Sequence, residues 1–169
     1  LGIFLILPIF SIYASELSGS PTEFKIGLAF GIYGLTQAIL QIPFGMSSDR
    51  FGRKPVIYFG LLLFVIGSLV AGLSEEIEGV IIGRAIQGSG AISAVLTAFL
   101  SDLTCDESRT KGMGIIGVSI GLTFALSLVI SPILNKLIGV SGIFLLMAFL
   151  ALIALVVVRF FLHESSDKD

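Results

Sequence analysis

A chain of 169 residues with 55% hydrophobic and only 13% charged residues is too apolar for a water-soluble domain, in which about 25% of residues are charged. It reads as an all-α membrane protein, and at roughly 20 apolar residues per crossing its length holds about six spans. A net charge of −2 on short loops leaves no basic stripe to neutralise phosphates, which excludes nucleic acid as a partner, and the single Cys105 can close no internal disulfide.

Residues 1–14 are apolar but too few to cross a bilayer. They lack a basic n-region, so they read as the truncated end of a first helix and not as a signal peptide. A polar stretch, residues 15–25, carries Gly19 and Pro21 and precedes a second span over about residues 26–46. The third span covers about residues 56–73 and is followed by an acidic loop with Glu75, Glu76 and Glu78. Further spans are expected over about residues 79–101, 112–134 and 142–162, with a polar tail at residues 163–169. Such a six-helix bundle satisfies its backbone groups within each helix, as lipid demands.

Basic residues are unevenly divided between the two ends of these spans. One side collects Arg50, Arg53, Lys54, Arg109, Lys111, Arg159 and Lys168, whereas the opposite loops hold Lys25 and Lys136. The basic side is therefore expected to be cytoplasmic, with both chain ends on it.

Small residues define faces along two of the spans. Gly27, Gly31, Gly34, Ala38, Gln41 and Gly45 recur at intervals of three and four in the second, and Gly114, Gly117 and Gly121 do so in the fifth. These faces suit either static helix packing or an interface along which one bundle rocks against another. Gly34-Leu35-Thr36 returns as Gly121-Leu122-Thr123 in a helix running the opposite way, which is compatible with an inverted three-plus-three repeat.

Polar groups within the spans are few. Apart from Arg159 at the basic end of the last span, Arg84 is the one basic residue among them, about 8 Å from the outer end of the fourth helix at 1.5 Å per residue. Two uses are open to it: snorkelling to the surface near Glu76 and Glu78, or facing a wet cavity, with Gln87, Gly88 and Ala91 extending the same face. Gln37 and Gln41, one turn apart, either line a cavity with Tyr33 or bond across a helix interface. Thr123, Ser127 and Ser131 form a polar row ending at Pro132, whose freed carbonyls those hydroxyls can also satisfy. No His, Asp, Glu or Cys falls inside a span, which argues against an intramembrane enzyme.

The charged turn between the second and third spans reads Gly45-Met46-Ser47-Ser48-Asp49-Arg50-Phe51-Gly52-Arg53-Lys54. Gly52 supplies the backbone freedom for a tight reversal, and Pro55 suits the first turn of the next helix. Asp49 and Arg53 are close enough in sequence to touch. Arg50 and Lys54 can reach lipid phosphates or the cytoplasm, and Asp102 is the other carboxylate at this end. A purely topogenic loop would show the same basic excess.

This turn resembles the signature loop of major facilitator superfamily transporters, G-x-x-x-D-R-x-G-R-[RK], with every fixed position present. The run from Gly83 to Ala91 resembles the R-x-x-Q-G motif of the drug and proton antiporters in that superfamily. Residues 31–38 and 100–104 extend the likeness over nearly the whole chain. The resemblance implies the N-terminal six-helix domain of a secondary transporter, its first helix truncated, moving a small-molecule substrate by alternating access. It also implies a bacterial cytoplasmic membrane, a missing C-terminal six-helix half, and a proton gradient in place of any cofactor or metal.

In residue terms the resemblance implies that Asp49 holds an outward-facing state by meeting a helix N-terminus in the other half, a favourable place for a carboxylate. Gly45 permits the approach and Arg53 links to Asp102. Arg84 takes the part of the proton-coupling arginine. Ser131 stands where the antiporters carry glycine, and Asn135 and Lys136 replace their closing glycine pair, so an uptake symporter or facilitator is the alternative within transport. A structural or signalling membrane domain is the alternative outside it.

Overall fold

The computed structural model describes residues 2–10, 22–90, 92–103 and 106–161. Among the described residues six helices follow in chain order: α1 Gly2–Ile6, α2 Glu23–Phe51, α3 Arg53–Leu73, α4 Ile77–Ser89, α5 Ser93–Leu103 and α6 Asp106–Phe161. The expected polar stretch at residues 15–25 lies largely outside the described residues, as do Ala91, Cys105 and the tail.

The longest element, α6, is two limbs. Gly139 within it has φ 67° and ψ 177°, a conformation that costs glycine least because it has no Cβ. Contacts on either side show that the chain turns back there. Gly112 lies against Leu100 of α5, at the end bearing the basic loop. Ser131 instead donates to the carbonyl of Leu5, in the apolar cluster at the other end that also contains Ala71 and Ile77. Past Gly139, Ser141 and Phe144 lie against Gly72 at that same end, and Val158 returns to Val56 and Ile57. The first limb thus runs parallel to α3 and the second antiparallel to it.

Among the described residues four stretches are long and apolar enough to cross a membrane: Glu23–Phe51, Arg53–Leu73, Ile77–Asp102 and Thr110–Phe160. The last has 51 residues, about 75 Å of helix against a hydrocarbon core of about 30 Å, so with its turn it supplies two crossings. The separate loop expected between residues 134 and 142 reduces to that single glycine. The fourth expected span is interrupted, because α4 stops at Ser89 and α5 begins at Ser93. Gly90 closes α4 with its N–H on the Gln87 carbonyl, and its backbone presses against the carbonyl of Gly60 on α3.

The core forms around α3, which packs on α4 and on the second limb of α6, while α2 packs on α4. Ala71, Ile77, Val80, Ile143 and Phe144 fill one end with Leu5 and Phe10; Val56, Ile57, Val95 and Val158 fill the other. Many large apolar side chains face outward instead, including Leu35, Ile39, Ile115, Val118 and Phe149, as lipid-facing residues do.

Close helix approach falls on glycines other than those the sequence pattern favours. A Cβ on Gly67 of α3 would collide with the backbone nitrogen of Gln87, and one on Gly83 would come within 2.7 Å of the Ala71 Cβ. Gly88 is similarly tight against Tyr33 and Thr36 of α2. By contrast, Gly31, Gly34 and Gly45 of α2 and Gly117 and Gly121 of α6 meet no described residue within 4 Å, and Pro132 is exposed. Among the described residues, then, no helix packs closely against these glycines.

Candidate functional site

At the basic end, α2 runs to Phe51 and the chain reverses at Gly52, whose φ of 95° is a left-handed angle that favours glycine. The reversal sets Arg53 in the first turn of α3, one helical turn in sequence beyond Asp49. Its Nη1 lies 2.5 Å from Asp49 Oδ1, and its Nε donates to Asp102 Oδ2 at 2.9 Å. Nη1 also donates to Ser48 Oγ at 2.6 Å, and that hydroxyl in turn donates to the Gly45 carbonyl at 2.7 Å.

The arginine is mostly covered, with its side chain 17% exposed, whereas Asp49 is 66% and Asp102 53% exposed. The carboxylate of Asp49 thus keeps a free side beyond the arginine. Arg50 turns away, 5.6 Å over the ring of Phe51, and Lys54 follows in the same first turn of α3. Ser48, 2% exposed, belongs to this cluster although its type and position in the sequence give no sign of it.

Deeper in the bundle, Arg84 is 0% exposed. Its side chain does not reach the surface near Glu76 and Glu78; at that end Glu78 pairs with Lys25, which holds its carboxyl below the usual carboxylate range. Arg84 crosses instead to α2. Its Cζ sits 4.5 Å over the ring of Tyr33, and its Nε points to the Ala29 carbonyl at 3.4 Å. Nη1 donates to Gln87 Oε1 at 2.7 Å, one turn along α4. Among the described residues Nη2 is buried without a hydrogen-bond partner.

Tyr33 also borders a cavity of about 350 Å³ between α2, α3, the α4–α5 break and the second limb of α6. Gln37, Leu61, Phe64, Ser93 and Met147 line it. Gln41 does not; one turn further along α2 it is exposed. On α6, Ser127 and Ser131 are both buried, Ser131 bonded to α1 and Ser127 Oγ without a partner among the described residues. The structure therefore brings together two groups: Asp49, Arg53 and Asp102 at the helix ends, and Tyr33, Arg84 and Gln87 in the interior. Among the described residues no cluster of His, Cys, Asp and Glu has the makings of a metal site.

Membrane-length helices around a buried cation, with an apolar cavity and an ion-paired reversal at one end, make this a helical integral membrane protein. Residues 1–169 match the Major Facilitator Superfamily, and the chain belongs to that family. It is 53% identical to the inner membrane transport protein YajR of Escherichia coli, over 89% of this chain and 33% of that protein. It is 52% identical to an uncharacterized transporter of Buchnera aphidicola, over 100% of this chain and 43% of the relative. A more distant relative, at 30% identity, is the class H tetracycline resistance protein of Pasteurella multocida, matched over 100% of this chain and 42% of its own length. The chain thus spans less than half the length of the relatives it matches, and the family is one of transporters and not of enzymes.

Proposed function

We propose that this chain is the N-terminal six-helix half of a proton-coupled exporter of small lipophilic compounds in a bacterial cytoplasmic membrane. It works by alternating access against a second six-helix half. The observation that carries this reading is Arg84: a fully buried guanidinium with one nitrogen that no described residue pairs, stacked on a tyrosine that borders the cavity. Ionised groups at membrane depth are costly and persist where they serve a partner, an ion path or a substrate. The cavity's largely apolar lining suits a lipophilic solute, and the tetracycline resistance relative supports export.

Within this reading Asp49 presents its uncovered side to a helix N-terminus of the other half in the outward-facing state, and Arg53 and Asp102 hold it there. Bare glycines on α2 and α6 form the face along which the halves move. The departures at Ser131, Asn135 and Lys136 favour uptake as the second reading. Proteoliposomes containing the complete transporter, loaded with a pH dye and offered ethidium and tetracycline, test both. Outward probe movement coupled to opposing proton flux is expected. Inward movement with protons selects the symporter, and probe movement that ignores the pH gradient rejects coupling.

A further inference from the structure

Arg84 is held by a side chain that is itself held, and the second link lies on a different helix. Ser68 of α3 is 0% exposed and Gln87 of α4 is 1% exposed, so no bulk water reaches either group. Ser68 Oγ lies 2.7 Å from the Phe64 carbonyl, one turn back on its own helix. A carbonyl only accepts, so the single hydroxyl hydrogen of Ser68 is committed to it. Gln87 Nε2 lies 2.7 Å from the same Oγ. With its hydrogen spent, Ser68 can only accept there, and Gln87 must present its NH2.

The orientation of the whole amide follows. With the NH2 on Ser68, Oε1 faces Arg84 and accepts from Nη1. Turned over, the amide would set donors against a guanidinium that has none but donors, and would aim its oxygen at a hydroxyl with no hydrogen left. Both mismatches would be buried, where unpaired polar groups are most costly. The approach of the helices makes the link possible: Gly67 and Gly83, lacking Cβ, let the backbones of α3 and α4 come together within a turn of Ser68 and Gln87.

We infer that Ser68 is a positioning residue for Arg84: its hydroxyl fixes the Gln87 amide, which holds one guanidinium nitrogen and leaves the other, Nη2, as the unpaired donor. This role rests on the coupling function proposed for Arg84. Ser68 does not itself line the cavity and makes no hydrogen bond to the arginine; its link to Arg84 runs through Gln87.

The test compares Ser68→Thr with Ser68→Val in the complete transporter, reading ethidium-dependent proton flux in proteoliposomes alongside Arg84→Lys. Thr and Val have the same shape and differ by the hydroxyl, so both add the same volume to a filled site. Thr should keep flux near wild type, and Val should lower it about tenfold, in line with a buried polar group left unpaired. In a Gln87→Met background the two should no longer differ. Equal flux from Thr and Val, with Arg84→Lys impaired, overturns the role of Ser68 alone. Wild-type flux from Arg84→Lys overturns the coupling role beneath it. Where neither larger residue folds, Ser68→Ala is combined with Gln87→Met. Losses that do not multiply support the relay, and losses that do multiply overturn it.

Discussion

Arg53 and Asp102, 49 positions apart in sequence, meet Nε to Oδ2 at 2.9 Å across the basic ends of α3 and α5. The same guanidinium holds Asp49 of α2, so one side chain ties three helices together where the chain reverses. Neither carboxylate is deeply buried, and the cluster is better suited to biasing a conformational balance than to holding up the fold.

Arg53→Ala and Asp49→Asn should therefore lower transport several-fold and shift the complete transporter toward inward-facing states, with expression near normal. Partly exposed pairs contribute up to about 1 kcal/mol each, and a helix-end carboxylate typically 0.3 to 1 kcal/mol. Such sums move a balanced equilibrium but do not unfold a bundle. Transport rates, together with cysteine accessibility on either side, check this. Unchanged rates in both variants would leave the loop with a topogenic role only.

Orientation follows from the basic residues and is checked by labelling with an impermeant thiol reagent in intact cells, after Cys105→Ser. Ser48 is a poor reporter, because at 2% exposure it would resist reagent from either side. Phe51 is 68% exposed at the same end, so Phe51→Cys and Thr110→Cys should stay unlabelled until the membrane is opened. Glu75→Cys, in the acidic loop, should label at once. Labelling of Phe51→Cys from outside would invert the assignment.

The two sets of glycines should separate in a stability measurement. Gly67→Ala and Gly83→Ala drive a methyl into the facing helix and should cost about 1 to 3 kcal/mol, the usual range for overpacking. Gly34→Ala and Gly117→Ala meet open space and should be neutral or stabilising by up to about 1 kcal/mol through helix propensity. Thermal midpoints in detergent read this directly. A further loss of transport in Gly34→Ala, without loss of stability, would locate that face at the moving interface.

How much of this was legible in the sequence depended on whether a feature was local. The pairing of Asp49 with Arg53 and the turn at Gly52 follow from spacing of a few residues and from one residue's backbone freedom. The reversal at the single residue Gly139 was not visible, because Asn135, Lys136 and Ser141 around it read as a longer polar loop. The face shared by Gln37 and Gln41 was readable from helical period, yet where the neighbouring helix stops covering it was not. Ser68 carries no sequence signal: a serine in an apolar helix usually bonds its own backbone, and only the facing Gln87 gives it a second task. Burial of Arg84 was likewise undecidable from depth alone, since a long side chain at about 8 Å can turn either way.

With that direction fixed by Tyr33 and Gln87, substitution at Arg84 has a definite expected outcome. Its guanidinium uses three features at once: a planar face over the Tyr33 ring, Nη1 on Gln87, and Nε toward Ala29. Lysine offers a charge but no plane and no fork, so Arg84→Lys should reduce proton-coupled flux by tenfold or more even where the protein folds. Tyr33→Phe keeps the ring under the cation and should cost about twofold at most, whereas Tyr33→Leu removes the cation–π contact, about 2 kcal/mol when desolvated, and should lower flux by more than tenfold. Substrate-dependent proton flux at matched protein amounts, with a folding check on each variant, measures all three. If Arg84→Lys transports like wild type, a bare positive charge is sufficient at this position and the geometry around it serves packing alone.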